Sequence, residues 1–213
     1  MSLHRLYKLS AKLFREKRMA RFVETFGITE KTRILDVGGA PGTWHALMCR
    51  PQVTILNLAP LEEVELLDTA QNDGIQFVQA DALRMPFADN SFDVIYCNSM
   101  IEHLGNWKNQ TIAASEIRRV APHYFVQTPN FWFPVEQHYW TPGIQFLPRS
   151  WKRWVLPNLT VWGMAERRTP QEVETMIAEI SLLTKRQVCH LFPEANIWVE
   201  RVCGLPKSII AYR

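Results

Sequence analysis

Residues 33–47, RILDVGGAPGTWHAL, set Asp36 and three glycines, Gly38, Gly39 and Gly42, between a short apolar run and a helix signal. A glycine turn at the end of a strand leaves main-chain amides and carbonyls uncovered, so a ligand can lie directly against the backbone. Two phosphate fingerprints fit this turn poorly. A P-loop needs Gly-Lys-Ser/Thr after the turn, and none follows. The dinucleotide pattern GxGxxG needs glycine where Ala40 stands and glycine or alanine where Thr43 stands. It also needs an acid about twenty residues further on for the ribose hydroxyls, and Asn57 occupies that place.

Spacing offers no metal site. The six histidines form no HxxxH pair, and Cys49, Cys97, Cys189 and Cys203 form no CxxC pair or dense disulfide pattern. A reduced, cytoplasmic setting is the expectation.

The elements that must position the turn alternate strand with helix. Arg33–Val37 reads as a first strand, followed by a helix from about Thr43 to Cys49; 53–59, 75–81, 92–98 and 123–128 read as the second to fifth strands. Residues 107–121 have helical periodicity. Buried, β-branched strands separated by helices predict an α/β fold with a mostly parallel sheet covered on both faces. The end changes character: 195–204 and 207–213 read as two antiparallel strands turning at Leu205 and Pro206. One region breaks the alternation. Between Pro129 and Pro170 lie six of the thirteen prolines and five of the eight tryptophans, and 129–183 is expected to be an inserted substrate cover above the strand ends.

At 213 residues and 47% hydrophobic composition, the chain suits one domain, 1–213, built around a single core. A net charge of +3 is too mild for a dedicated phosphate-tracking surface, which argues against a nucleic-acid partner. The first 21 residues nevertheless carry seven Lys or Arg against one acid, Glu16, alternating with Leu6, Leu9, Leu13 and Phe14. This N-terminal helical segment, 1–30, reads either as a solvated amphipathic helix on the domain or as a contact for an anionic membrane surface or acidic substrate. No run of eighteen apolar residues exists to span a bilayer.

Taken together, DVGGAPG (36–42) and FVQADALRMPFADNSFDVIYCNSMIEHLGNW (77–107) resemble the class I S-adenosylmethionine-dependent methyltransferases, specifically the type-11-like group. The shared features are an acid before the glycine turn, an Ala-Asp after the third strand, and a PF.D.SFD approach to the fourth. The resemblance covers about residues 30–128. It implies a Rossmann-like seven-stranded sheet of order 3-2-1-4-5-7-6 with strand seven antiparallel, in agreement with the terminal hairpin.

The resemblance also implies roles. Asp36, Gly38, Gly39, Ala40 and Gly42 would hold the methionine end of S-adenosylmethionine, with Asn98 beneath it. Asp81 and the Ala82 amide would read the adenine, whose faces Leu58 and Leu83 would flank. Asn57 departs from the family's acid, so Asn57→Asp is expected to tighten cofactor binding, unless Glu62 or Glu63 already substitutes. Methyl transfer needs in-line positioning and, for acceptors that lose a proton, a base. His103 and His138 are the candidates for that role, with Glu136, Tyr139 and Trp132 as acceptor-pocket residues and no metal. The acceptor is expected to be a small molecule, sugar or lipid-linked compound methylated at oxygen or nitrogen: Asn-Ser-Met-Ile at 98–101 is not the [DN]PP[YF] of nucleobase amino methylases. A weakly binding scaffold subunit and an RNA ribose methyltransferase remain the alternatives. Arg149, Lys152 and Arg153 either meet an anionic group or are solvated.

Overall fold

A computed structural model of the chain describes residues 3–44, 47, 49–60, 63, 74–160 and 169–213. Its centre is a seven-stranded sheet of β1 (Arg33–Val37), β2 (Gln52–Asn57), β3 (Ile75–Gln79), β4 (Val94–Asn98), β5 (His123–Pro129), β8 (Asn196–Val202) and β9 (Leu205–Tyr212). The spatial order is β3-β2-β1-β4-β5-β9-β8, with β9 antiparallel to both its neighbours and the other pairs parallel. Counting only the strands of this sheet, the order is the expected 3-2-1-4-5-7-6.

Side-chain alternation sorts the strands onto two apolar faces. Ile34, Val94, Tyr96, Phe125 and Ile210 point to one face, where Met19 and Phe22 of α1 (Leu3–Phe26) and Trp44 cover them. Leu35, Val37, Ile95, Cys97, Tyr124 and Val126 point to the other, against α2 (Trp107–Val120) and α5 (Lys185–Leu191). Helix α1 stops at Gly27, whose φ of 56° is left-handed, and the Ile28 amide then donates to the Val23 carbonyl at 3.2 Å, a Schellman closure.

Two local expectations need correction. The terminal hairpin turns at Cys203 and Gly204, whose φ values of 48° and 79° give the double left-handed turn that matches strand twist. Leu205 and Pro206 belong to β9; Pro206 is tolerated because the β5 ladder reaches only as far as Ser208 and a bulge separates Glu200 from Arg201 on β8. The helix expected from Thr43 is instead a 3-10 turn at Pro41–Thr43, followed by a Leu47 amide bond to the Trp44 carbonyl at 3.2 Å. Residues 45, 46 and 48 lie outside the described residues, as does Glu62. The physical reason for the tight turn is Asp36, which accepts the Trp44 indole N–H at 2.7 Å and draws the chain back over the strand end.

Between β5 and α5 the chain forms a small two-stranded ribbon, β6 (Val135–Glu136) with β7 (Thr141–Pro142), then α3 (Arg149–Leu159) and α4 (Pro170–Glu179). These pack around Tyr139, Ile144, Leu156 and Val173. Helix α4 begins with a reciprocal capping box between Thr169 and Glu172 and carries Pro170 in its first turn, where a missing N–H costs nothing. The segment is tied down over the carboxyl edge of the sheet: Ser181 N–H donates to Glu102 C=O at 2.7 Å, and Gly105 N–H to Glu179 C=O at 3.0 Å.

Candidate functional site

Two clefts adjoin at the carboxyl ends of β1, β2 and β4, sharing Gly38 and Ser99. One, of about 310 Å³, is lined by Asp36, Gly39, Ala40, Tyr96, Asn98 and the basic side chains Arg15, Arg18 and Lys207. The other, of about 390 Å³, is lined by Asn57, Leu58, Asp81, Ala82, Met100 and His103.

The glycines between them are required by sterics. A Cβ at Gly39 would lie 1.9 Å from an Asp36 carboxylate oxygen, and one at Gly38, where φ is 76°, would lie 2.5 Å from Met100 Cγ. On the facing strand end, Ser99 is also left-handed at φ 56° and is held by Gln127, whose carbonyl accepts the Ser99 amide at 3.0 Å and whose Oε1 accepts its hydroxyl at 2.8 Å. Both turns expose main chain toward the clefts.

The first cleft is polar at its floor. Asp36 is buried, and its burial pushes the carboxyl up to about 7, against the opposing hydrogen bond from Trp44. The Tyr96 hydroxyl and Asn98 Oδ1 are buried without a hydrogen-bond partner among the described residues. Arg18 is also buried there, its Nε 3.6 Å from Glu200 Oε1. Unpaired buried polar atoms are costly, so this floor is complementary to a polar, charged ligand. Sequence reading missed Arg15, Arg18, Tyr96 and Lys207, because their association depends on how α1 and β9 cross the sheet.

The second cleft suits a flatter group. Leu58, which the resemblance sets against the adenine, is 70% exposed and lines the cleft. Asp81 is exposed; its Oδ1 accepts the Leu83 amide at 2.8 Å, which turns the chain after β3. Leu83 itself is half-buried outside the lining. Asn57 is bonded to the backbone at both ends of its carboxamide: Nδ2 donates to the Gly39 carbonyl and Oδ1 accepts the Ala59 amide, each at 3.2 Å. Its carboxamide thus braces the glycine turn from β2, a task that a carboxylate cannot perform because it has no N–H. Glu63 is exposed and gives its amide to the Pro60 carbonyl at 3.1 Å.

At the mouth of this cleft the structure brings the two sequence-distant histidines together. The His103 and His138 rings meet edge to face, with centroids 4.8 Å apart. His138 Nδ1 lies 2.6 Å from Glu136 Oε1, and Glu136 Oε2 accepts the Tyr139 amide at 2.8 Å. Because the carboxylate only accepts, Nδ1 carries the proton and Nε2 is left to face other groups. Burial opposes charge on His138, but the Glu136 hydrogen bond and the nearby carboxylates raise it above the ordinary histidine range. His103 is pushed down to about 4 by burial of its ring and then by His138, so it is neutral at neutral pH. Beneath them Glu102 is fully buried; burial pushes it up to about 7, although its Oε2 accepts the Thr128 hydroxyl at 3.0 Å.

The remaining expected residues separate. Tyr139 packs inside the cover and donates its hydroxyl to the Met176 carbonyl at 3.1 Å, while Trp132 is exposed beside Phe131 and Phe146. Arg149 and Arg153 pair with Glu174 across α3 and α4. Lys152 joins Glu136 and Gln145 around a third cavity of about 200 Å³ within the cover.

Comparison with known proteins adds sequence evidence to this geometry. The family described as a methyltransferase domain, type 11, matches residues 35–123, the segment that supplies the whole lining of the second cleft and the glycine turn and β4 side of the first. Residues 35–123 thus form a type-11 methyltransferase domain. The chain is 32% identical over 130 residues, 56% of its length, to the ubiquinone/menaquinone biosynthesis C-methyltransferase UbiE of Hahella chejuensis. It is 34% identical over 101 residues, 44% of this chain, to a sterol 24-C-methyltransferase of Gibberella zeae. The matches span only 46% and 26% of those relatives' own lengths. Among solved structures, the fold is shared with the 1,6-didemethyltoxoflavin-N1-methyltransferase of Burkholderia thailandensis, bound to its substrate and S-adenosylhomocysteine, with a TM-score of 0.58 and 12% identity over 93% of this chain and 76% of that one.

Proposed function

We propose that the chain transfers a methyl group from S-adenosylmethionine to an oxygen or nitrogen of a small-molecule, sugar or lipid-linked acceptor. The observation that carries this reading is the pair of clefts meeting at Gly38 and Ser99, one polar and charged, the other flanked by Asp81 and Leu58. The residues present fit the cofactor. Asn98 Oδ1 and the Gly38–Gly39 main chain suit an ammonium group, Arg15 and Arg18 suit a carboxylate, and the free acceptor capacity of Asp81 and the Ala82 amide suit a purine edge.

When bound, the cofactor supplies an electrophilic methyl group on a sulfonium, which is a good leaving group. The protein's part is alignment, exclusion of water and handling of the acceptor atom. His103, in the lining of the second cleft, and His138, oriented by Glu136, are positioned for that last task. Their presence favours an acceptor with an exchangeable proton, hence oxygen or nitrogen. The segment 129–183 supplies His138 and Glu136 and covers the acceptor side. The whole chain 1–213 then works as one domain.

Titration calorimetry with S-adenosylhomocysteine is expected to show one site per chain; no heat at millimolar ligand would favour a scaffold subunit instead. With radiolabelled donor and a panel of acceptors, His138→Ala is expected to lower turnover about 100-fold while leaving S-adenosylhomocysteine affinity unchanged. Normal turnover in that variant would remove His138 from the reaction.

A further inference from the structure

Glu102, His103 and His138 each offer one ligand atom, and these atoms lie within 4.8 Å of one another. Ligands held at about 2.0–2.2 Å around a tetrahedral ion lie roughly 3.4 Å apart, so side-chain rotations that draw the three together by about an ångström complete the site. A second observation points to an occupant. Glu102 is fully buried and its Oε1 has no hydrogen-bond partner. No lysine or arginine lies within ion-pair distance of Glu102 or of the equally buried Glu136 among the described residues.

Glu102 Oε1 is thus a buried acceptor with no donor, set in a cluster of potential ligand atoms, and a divalent cation would satisfy it. The outer arrangement is also that of a metal ligand. The second carboxylate, Glu136, sits on His138 Nδ1 at 2.6 Å, which fixes the ring and leaves Nε2 as the nitrogen available to ligate. Likewise Thr128 anchors the other oxygen of Glu102 at 3.0 Å.

We propose that Glu102, His103 and His138 bind one divalent transition-metal ion, with Glu136 as the carboxylate that orients His138. Two imidazoles and one carboxylate suit zinc, cobalt, nickel or iron(II) better than the all-oxygen sites of magnesium or calcium. Three protein ligands leave coordination positions open, and the ion faces the cleft that His103 lines. An acceptor oxygen or nitrogen in an open position loses its proton more readily, as metal-bound water does. This use of the ion rests on the methyltransferase reading; the site itself does not.

The test uses the full chain stripped with chelator and titrated with Zn²⁺ by calorimetry and with Co²⁺ by visible absorption. Cys189→Ser and Cys203→Ser are included to remove the exposed thiols. One ion per chain is expected. Glu102→Gln and His138→Ala are each expected to weaken binding at least tenfold, as is the cleft-mouth variant His103→Ala, and Glu136→Gln is expected to weaken it about 10- to 100-fold. Absence of stoichiometric binding, or equal binding by all four variants, overturns the proposal. S-adenosylhomocysteine binding without metal binding removes the ion and leaves the methyltransferase reading standing. Metal binding without S-adenosylhomocysteine binding does the reverse.

Discussion

At the scale of single residues, the most instructive position is Asn57. Compared with a family pattern it is a missing acid, yet in the structure its N–H holds the Gly39 carbonyl and its oxygen holds the Ala59 amide. Asn57→Asp keeps the second bond and turns the first into a carboxylate facing a carbonyl. We therefore expect a loss of about 1 kcal/mol, a Tm lower by about 2–4 °C, and no gain in S-adenosylhomocysteine affinity. A tightened dissociation constant would return Asn57 to the ribose-binding role. Asp36 yields a pH signature. Its carboxyl rises from 3.8 to about 7 on burial, so between those values the folded state holds a proton that the unfolded chain releases. Stability contributed by that proton is present below about pH 4 and is lost as pH rises toward 7, at no more than about 1.4 kcal/mol per pH unit. Urea unfolding should accordingly show wild type losing ground to Asp36→Asn between pH 5 and pH 7. A constant difference would mean that Asp36 is ionised throughout.

At the scale of elements, α1 packs on the domain through Met19 and Phe22 and also lends Arg15 and Arg18 to the first cleft. Phe22 is fully buried against Tyr96 and Phe125, Arg21 lies 4.3 Å above the Trp198 ring, and Arg18 reaches Glu200 on β8. Arg18 and Arg21 therefore contact the sheet's own side chains, which the alternation of charge and leucine did not disclose, while Arg15 is exposed at the cleft. Arg18→Met strands Glu200 as a buried acid and is expected to cost about 3 kcal/mol. Adding Glu200→Gln should restore most of it, and a double-mutant cycle in urea would measure the coupling. Additive losses would show that the two side chains are independent. The motif residues between β3 and β4 also prove architectural. Arg119 on α2 gathers Asp89, Glu116 and the Phe87 carbonyl at 2.9, 2.7 and 2.7 Å, and Asp93 grips Arg33 beside β1. PF.D.SFD is thus legible in sequence because it builds the approach to β4.

At the scale of the whole molecule, a ligand that bridges β1, β2, β4 and α1 stabilises contacts scattered along the chain. S-adenosylhomocysteine at about one hundred times its dissociation constant adds roughly 2.7 kcal/mol, and a Tm rise of about 5–10 °C is expected for a chain of this size. No rise at saturating ligand would separate the clefts from the cofactor. No helix among the described residues is long and apolar enough to cross a membrane.

The strands and the antiparallel finish were legible from local information, namely apolar runs of strand length, glycine punctuation and a terminal hairpin, whereas their spatial order was implied by the resemblance to the class I methyltransferases and is matched by the sheet. The glycine turn and Asp81 were legible for the same reason, since each lies at the end of its own strand. What the linear order conceals is convergence. His103 follows β4 and His138 follows β5, and nothing in their spacing places the rings 4.8 Å apart above a buried Glu102. Only the folding of the ribbon β6–β7 back over the strand ends does that, because proximity between separate segments is a property of packing rather than of pattern.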